Sequence, residues 1–442
     1  MSEKADLAEK LKNLSLKKHE GDFVETTDYP IPTSKTAFRQ VLASVLKQIA
    51  THPGDLGQMS MPAAIMSGRS ILEYTSHWCD YPELFHSVSK GEESLDRMVN
   101  VVRWYVSTLF GSYGSRTVKG DIEKKPFNPI LGEQFFCCWP HEKYGETFMN
   151  SEQVTHHPPV SAFYFHNAKG GVTLTGESAP TTKFTGTAVK VKLGAKLHLE
   201  IEGKESYSVF SPDVYLRGVL TGEPFIELCG KASIVSSAGD ACLFEFIPKG
   251  WFSGEYNNFE AKIYRHSEVQ HKKKKIAKDV FYTIKGNWKG QMFIHKGDDT
   301  SSPAIPFFDA SNPEIVRPLV RTIKNQRECE SQRVWSKVAE ALMKDDLRQA
   351  AVEKNEVEEA QRAIRKERKE NNVVWSPKFF RQVDDSLYTL EQLEFESTSS
   401  VNSRATSPDE VPSKKLQIPG KKENGQRWDY IGPKVCFTCY DE

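Results

Sequence analysis

The chain has 442 residues, and its 59 Lys+Arg balance its 59 Asp+Glu, so no global charge draws it to nucleic acid and any affinity for an anionic surface must be local. No apolar run reaches the ~18 residues needed to span a bilayer, and the first residues mix Glu, Asp and Lys where a secretory leader needs an apolar stretch. A hydrophobic share of 38% with 11% aromatics suffices for a substantial core. Eight cysteines are scattered over the chain, which predicts a reduced, cytosolic protein with free thiols. Cys436 and Cys439 form a CxxC without a second ligand pair, so no metal site and no cofactor are expected.

Residues 1–35 are charged and end near Pro30-Ile31-Pro32, which predicts a weakly ordered extension. From Thr36 to Ala50 the residues Phe38, Val41, Leu42, Val45, Leu46 and Ile49 form one apolar stripe at helical spacing, and Pro53-Gly54 stops it. Such a helix either packs on a core or moves as a lid or membrane-surface element. A second helix is expected over Leu95–Phe110. From Phe135 the period changes to two. Val189, Val191 and Leu193 alternate with lysines, Gly194-Ala195-Lys196 turns, and Leu197, Leu199 and Ile201 alternate again, which predicts a β-hairpin. Further strands are expected at Pro224–Gly230, Ala241–Ile247, Phe259–Tyr264, Val280–Ile284 and Gln291–His295. Many short antiparallel strands imply a sandwich or a barrel, and a barrel of more than about eight strands is wide enough for a ligand. Arg333–Asn371 predicts largely solvated helices outside the sheet. The last stretch, 393–442, is Ser-, Thr-, Pro- and Lys-rich up to Asn424, which predicts a flexible tail.

Three segments have the residue types to bind an anion. Ser151 to Pro159 contains His156-His157-Pro158-Pro159, in which the prolines stiffen the backbone and two imidazoles suit a phosphate, a metal or proton transfer. Glu123 to Glu133 is kept extended by Pro126 and Pro129; Lys125 and Asn128 can donate to an anion, while Phe127 and Leu131 can line an apolar wall. Lys354, Glu358 and Arg362 follow each other at i, i+4 and i+8, either as a solvated ladder or as a preorganised cation pair facing a phosphate. Lys272–Lys275 is a basic run, and Pro306-Phe307-Phe308-Asp309-Ala310 reads as a buried strand end rather than a docking motif. Glycine-rich phosphate loops, GxSxG, HExxH and kinase motifs are all missing from the sequence, which lowers an enzyme reading.

The run Glu152-Gln153-Val154-Thr155-His156-His157-Pro158-Pro159 resembles the fingerprint of the oxysterol-binding-protein family, usually written EQVSHHPP. Lys124 to Glu133 is similar to a second family motif, KKPxNPxLGE, and the similarity extends through Trp251-Phe252-Ser253-Gly254, Trp288 and Trp335 to the helix around Lys354–Arg362. The resemblance, strongest to short members without accessory domains, implies a mainly β fold with α. Its core would be a large incomplete antiparallel β-barrel around a lipid tunnel over 59–392, under an N-terminal amphipathic lid at 36–58, with outer helices in the C-terminal part. It implies a non-enzymatic lipid carrier that exchanges a sterol against phosphatidylinositol 4-phosphate. Other branches take phosphatidylserine as the second lipid, and a third reading is a phosphoinositide sensor without net transport. By the same resemblance Lys125, Asn128, His156 and His157 bind the head group, and Lys354 and Arg362 clamp the phosphate with Glu358 orienting them. Trp78, Tyr113 and Phe127 line the tunnel, with Ser112 where a sterol-binding short member has Gln. The implied partners are a sterol or other membrane lipid, phosphatidylinositol 4-phosphate and a transient membrane surface. The implied state is a cytoplasmic monomer, peripheral on Golgi, endoplasmic-reticulum or plasma-membrane contacts, with no nucleic acid.

Overall fold

The computed structural model describes residues 22–26, 35–51, 61–114, 124–250, 254–265, 280–301, 303–311, 314–384 and 426–433. Trp251–Ser253, the lysine run 272–275 and Cys436/Cys439 lie outside the described residues, as do the side chains of Leu46 and Ile49.

The dominant element is a 17-stranded sheet. Its antiparallel ladder runs from Phe23–Glu25 through Leu319–Arg321, Gln134–Trp139, Thr147–His156, Pro159–Asn167 and Val172–Ser178 to Lys196–Ile201. It continues through Ser206–Phe210, Phe225–Ser236, Asp240–Ile247, Asn258–Arg265, Val280–Asn287 and Gln291–Lys296 to Ile305–Asp309. Among the described residues this last strand has one partner, so the two ends of the sheet are not joined and the barrel is incomplete. Phe307 and Ala310 are buried at that end.

The strands expected at 189–201 form, but not as a hairpin. Lys196–Ile201 pairs with Val172–Ser178 and Ser206–Phe210, whereas Val189–Lys192 pairs with Thr181–Phe184 and Asp213–Arg217 in a side branch of the sheet. The Leu193 carbonyl is taken by the Ala179 amide at 3.0 Å, so the chain crosses between ladders here. Alternation specifies which face a side chain takes and leaves the partner strand open.

Helix α1, Lys35–Thr51, is the amphipathic segment. Helix α2, Ser94–Tyr113, supplies Val101, Val102, Trp104, Tyr105 and Leu109 to a core shared with Phe163, Phe165, Leu199, Tyr207 and Phe244 of the sheet. Gln134–Trp139, the sequence QFFCCW, is buried at every position. Phe135, Cys137 and Trp139 enter the core beneath α2, while Phe136 and Cys138 enter a second cluster on the opposite face. A strand buried on both faces shows no alternation and requires a second covering layer.

Part of that layer comes from chain expected to have little order. Phe380–Asp384 pairs with Gln426–Tyr430, and Tyr430 stacks on Tyr164 at 4.0 Å. At the other end Phe23–Glu25 adds a strand to Leu319–Arg321. Residues 22–26 and 426–430 therefore depart from the expected extension and tail. Both are short segments with apolar residues (Phe23-Val24, Trp428 and Tyr430) in polar surroundings; backbone pairing with Leu319–Arg321 holds the first, and burial of Tyr430 against the sheet stabilises the second.

Candidate functional site

Three segments build the site, and each is positioned by buried groups beside it. The first begins with Lys125–Phe127, which pairs in parallel with Met66–Ser70. Lys125 Nζ donates to Asn128 Oδ1 at 2.5 Å. Gly132 then turns the chain at φ +80°, and a Cβ there would lie 2.4 Å from the Trp375 ring, so conformation and packing both require glycine. Its amide donates to the Gln153 carbonyl at 3.0 Å, and the Gln153 amide donates to the Glu133 carbonyl at 2.9 Å. The two sequence motifs are thus backbone-bonded to each other.

Glu133, fully buried, closes the first segment. Its carboxylate accepts from the Ile130 amide at 3.0 Å, the Ser331 hydroxyl at 2.8 Å, the Trp335 indole at 3.0 Å and the Ser70 hydroxyl. Burial outweighs these donors and pushes its carboxyl up to about 7. Glu152 plays the matching part in the second segment. It accepts from the Lys378 and Phe379 amides, each at 2.8 Å, and burial raises its carboxyl above the usual range.

The strand Thr147–His156 turns back at His157-Pro158 into Pro159–Asn167, with His156 paired to Pro159. The peptide His157-Pro158 is cis, and the Thr155 hydroxyl donates to the Pro158 carbonyl at 2.6 Å. The turn brings the two imidazoles together, edge to face, 4.7 Å apart, where a continued strand would have put them on opposite faces. His156 is half-buried, and its Nδ1 has no hydrogen-bond partner among the described residues. Burial lowers its pKa, and His157 and Arg365 lower it further.

The third segment is helix α4, Leu347–Glu370, preceded by α3, Ser336–Met343. Lys354 is buried, and its Nζ contacts Glu358 Oε1 at 2.5 Å; Arg362 Nη2 lies 3.8 Å from Glu358 Oε2 and also contacts Glu359 through Nη1. One turn further on, Arg365 Nη1 reaches His157 Nε2 at 2.8 Å. Arg365 was missed in the sequence although it continues the stripe 354, 358, 362 by one i+3 step.

The expected tunnel residues divide between two cores. Trp78 joins Trp104, Tyr105 and Phe163 in an aromatic group with ring centroids 6.0, 6.3 and 6.5 Å away, and Ser112 and Tyr113 are buried at the end of α2. Phe127 instead stacks on Trp335 at 4.5 Å, in the cluster that contains Phe38, Leu42, Val338, Leu342 and Ala350. The lid stripe is buried through Phe38, Leu42 and Val45, with Val41 half-buried. Phe38 and Leu42 pack towards the C-terminal helices, while Val45 meets Phe184 and Val189. Arg39 pairs with Glu223 at 2.7 Å on the exposed side.

Geometry therefore defines an incomplete antiparallel barrel with a cationic, imidazole-bearing rim between two motif segments and an outer helix. Among the described residues no group of acidic, His or Cys side chains is arranged to hold a metal ion, and no helix is long and apolar enough to cross a membrane. The family model described as "Oxysterol-binding protein" matches residues 42–342 and 339–404. Similar relatives include "Protein kes1" of Schizosaccharomyces pombe, 39% identical over 77% of this chain and 86% of its own. "Oxysterol-binding protein homolog 7" of Saccharomyces cerevisiae is 30% identical over 88% of each. The Osh3 ORD of Saccharomyces cerevisiae, solved in complex with PI(4)P, aligns with TM-score 0.60 at 22% identity, covering 82% of this chain and 91% of that one. The Osh1 ORD domain in complex with ergosterol aligns with TM-score 0.59 at 21% identity, covering 81% and 85%. The chain belongs to the oxysterol-binding-protein family.

Proposed function

We propose that this protein carries lipids one at a time between membranes and exchanges a sterol against phosphatidylinositol 4-phosphate. The observation that carries the reading is the convergence of three segments. The Lys125–Asn128 loop is bonded through Gly132 and Glu133 to the Gln153 backbone, and α4 reaches His157 through Arg365. A phosphomonoester carries roughly −1.5 to −2 charges near neutral pH. Burying it is costly unless charged donors surround it. Lys125, Asn128, His156, His157, Lys354 and Arg362 supply such donors, with Glu358 fixing the last two cations. The buried His156 Nδ1 without a partner is an atom that a phosphate oxygen would satisfy once the ring is protonated. Arg365 contacts the His157 ring nitrogen and adds one more cation.

The apolar remainder of either lipid is assigned to the barrel core near Trp78 and Tyr113. There, burial at about 25 cal/mol per Å² is the main attraction. The solved relatives with ergosterol and with PI(4)P support both halves of the exchange. The lid helix would cover the ligand in transit, and the protein would act at cytoplasmic membrane surfaces without turning lipid over.

The test is to incubate the protein with liposomes containing sterol, phosphatidylserine and phosphatidylinositol 4-phosphate, re-isolate it, and identify bound lipid by mass spectrometry. Sterol and the phosphoinositide are expected. Phosphatidylserine in place of sterol would replace the second ligand, and release of inorganic phosphate beyond stoichiometry would contradict a carrier.

A further inference from the structure

We propose that the loop closing helix α4, with Val373, Val374 and Trp375 at its tip, is a docking edge for an anionic membrane. Val373 is 57% exposed, Val374 89% and Trp375 36%. Three consecutive apolar residues in water are unusual unless something covers them in use.

The exposure is built in rather than frayed. Asn372 adopts φ 53°, its amide donates to the Lys369 carbonyl at 3.3 Å, and the Val373 amide donates to the Arg368 carbonyl at 2.9 Å. These two bonds, with a left-handed residue between helix and loop, are a Schellman closure. Behind the tip the Trp375 ring lies over Gly132, so the loop is seated on the first motif segment. The Arg368 guanidinium sits 5.3 Å from the same ring.

Charge favours a lipid surface as the occupant. Residues 362–378 contain six cations (Arg362, Arg365, Lys366, Arg368, Lys369, Lys378) against two acids, Glu367 and Glu370. Aliphatic residues and a Trp flanked by Lys and Arg match the boundary between acyl chains and anionic head groups. The edge is also continuous with the imidazole rim, since Arg365 contacts His157 three residues before Arg368. A membrane seated on Val374 would lie beside the mouth through which a phosphoinositide enters. That purpose, though not the surface itself, rests on the proposed function.

The experiment uses the full chain and vesicles of phosphatidylcholine and phosphatidylserine without phosphoinositide. Partition is compared for the unsubstituted protein and a Val373→Asp/Val374→Asp variant, and hydrogen exchange of residues 374–376, beyond the closing hydrogen bonds, is followed with and without vesicles. Water-soluble inositol 1,4-bisphosphate reports the head-group site separately. The variant is expected to lose partition by about tenfold and to bind the soluble head group unchanged, and vesicles should protect amides 374–376 only in the unsubstituted protein. Equal partition of the two proteins would overturn the proposal. So would vesicle-free protection of 374–376, which would mean that another part of this chain or a second copy covers the edge. Failure to bind inositol 1,4-bisphosphate with Val374-dependent partition intact would remove the head-group reading and leave the docking edge standing.

Discussion

The motif segments and helix α4 both present charge to the same rim, and they hold it in opposite ways. Lys125, Asn128 and the two histidines stand on backbone tied down by buried acids: Glu133 with four donors, and Glu152 with two backbone amides. Lys354, itself buried, and the half-exposed Arg362 stand on one face of a helix and are held by a partly buried acid, Glu358. A buried acid with converging donors fixes the backbone, and removing it leaves those donors unpaired at high cost. A side-chain ladder along one helix face ties no backbone, and it lets the half-exposed Arg362 adjust to a ligand. The rim combines a rigid wall with an adaptable one, as a site must if it is to capture a dianion and later release it.

Breaking the rigid wall has the largest expected effect. Glu133→Ala strands two hydroxyls, an indole N–H and an amide, and should cost about 3–5 kcal/mol, measured by urea unfolding. Glu133→Gln sharpens the point. With the carboxyl pushed up to about 7 from 4.5, the native state binds more protons than the unfolded chain between those values. Stability of the unsubstituted protein therefore falls as pH rises through that window. The Gln variant should lack this component of the pH profile.

Glu152→Ala comes next. The loss of two charge-assisted acceptor bonds should cost about 2–3 kcal/mol, and hydrogen exchange should quicken first in 378–384 and 426–430, the layer that Glu152 anchors. Exchange quickening everywhere at once would show that the outer layer is not a separable unit.

The adaptable wall should behave in reverse. Glu358→Gln removes the counter-charge of the buried Lys354 and is expected to cost about 1–2 kcal/mol, less than Glu133→Ala, yet to weaken phosphoinositide binding about tenfold by unfixing two cations. Loss of stability matching that of Glu133→Ala would erase the contrast between the two walls.

The smallest effect is the pH dependence of binding. Burial lowers the pKa of His156, and a bound dianion would oppose that shift. Affinity should rise severalfold as pH falls from ~8 towards ~6.5, then decline below ~6 as the phosphate loses its second charge. A flat titration would mean that His156 does not take up a proton on binding.

This contrast also explains what was legible beforehand. The proposed head-group residues lie in two long motifs and one helical stripe, so Lys125, Asn128, His156, His157, Lys354, Glu358 and Arg362 stand out in the sequence as candidates. The acids that support them do not, because the partners of Glu133 and Glu152 lie far along the chain, at Ser331, Trp335, Lys378 and Phe379. The strand segments at 189–201 were visible through their period of two, but their partners were not, and the hairpin prediction failed there. QFFCCW falls where a period of two was read, yet it is buried on both faces and shows no alternation. Its cover, Phe380 and Tyr430, sits in sequence too short and too polar around it to announce a second layer. Phe127 looked like a wall for a ligand, and the stack on Trp335 places it beneath the lid helix instead.

The measurement that bears most directly on the central claim is two-ligand extraction by the His156→Ala/His157→Ala variant. Liposomes carrying labelled sterol and labelled phosphatidylinositol 4-phosphate would be offered to the variant and to the unsubstituted protein. Head-group recognition at the rim predicts that the variant loses phosphoinositide extraction and keeps sterol extraction. Equal loss of both lipids, or phosphoinositide extraction left intact, would contradict it.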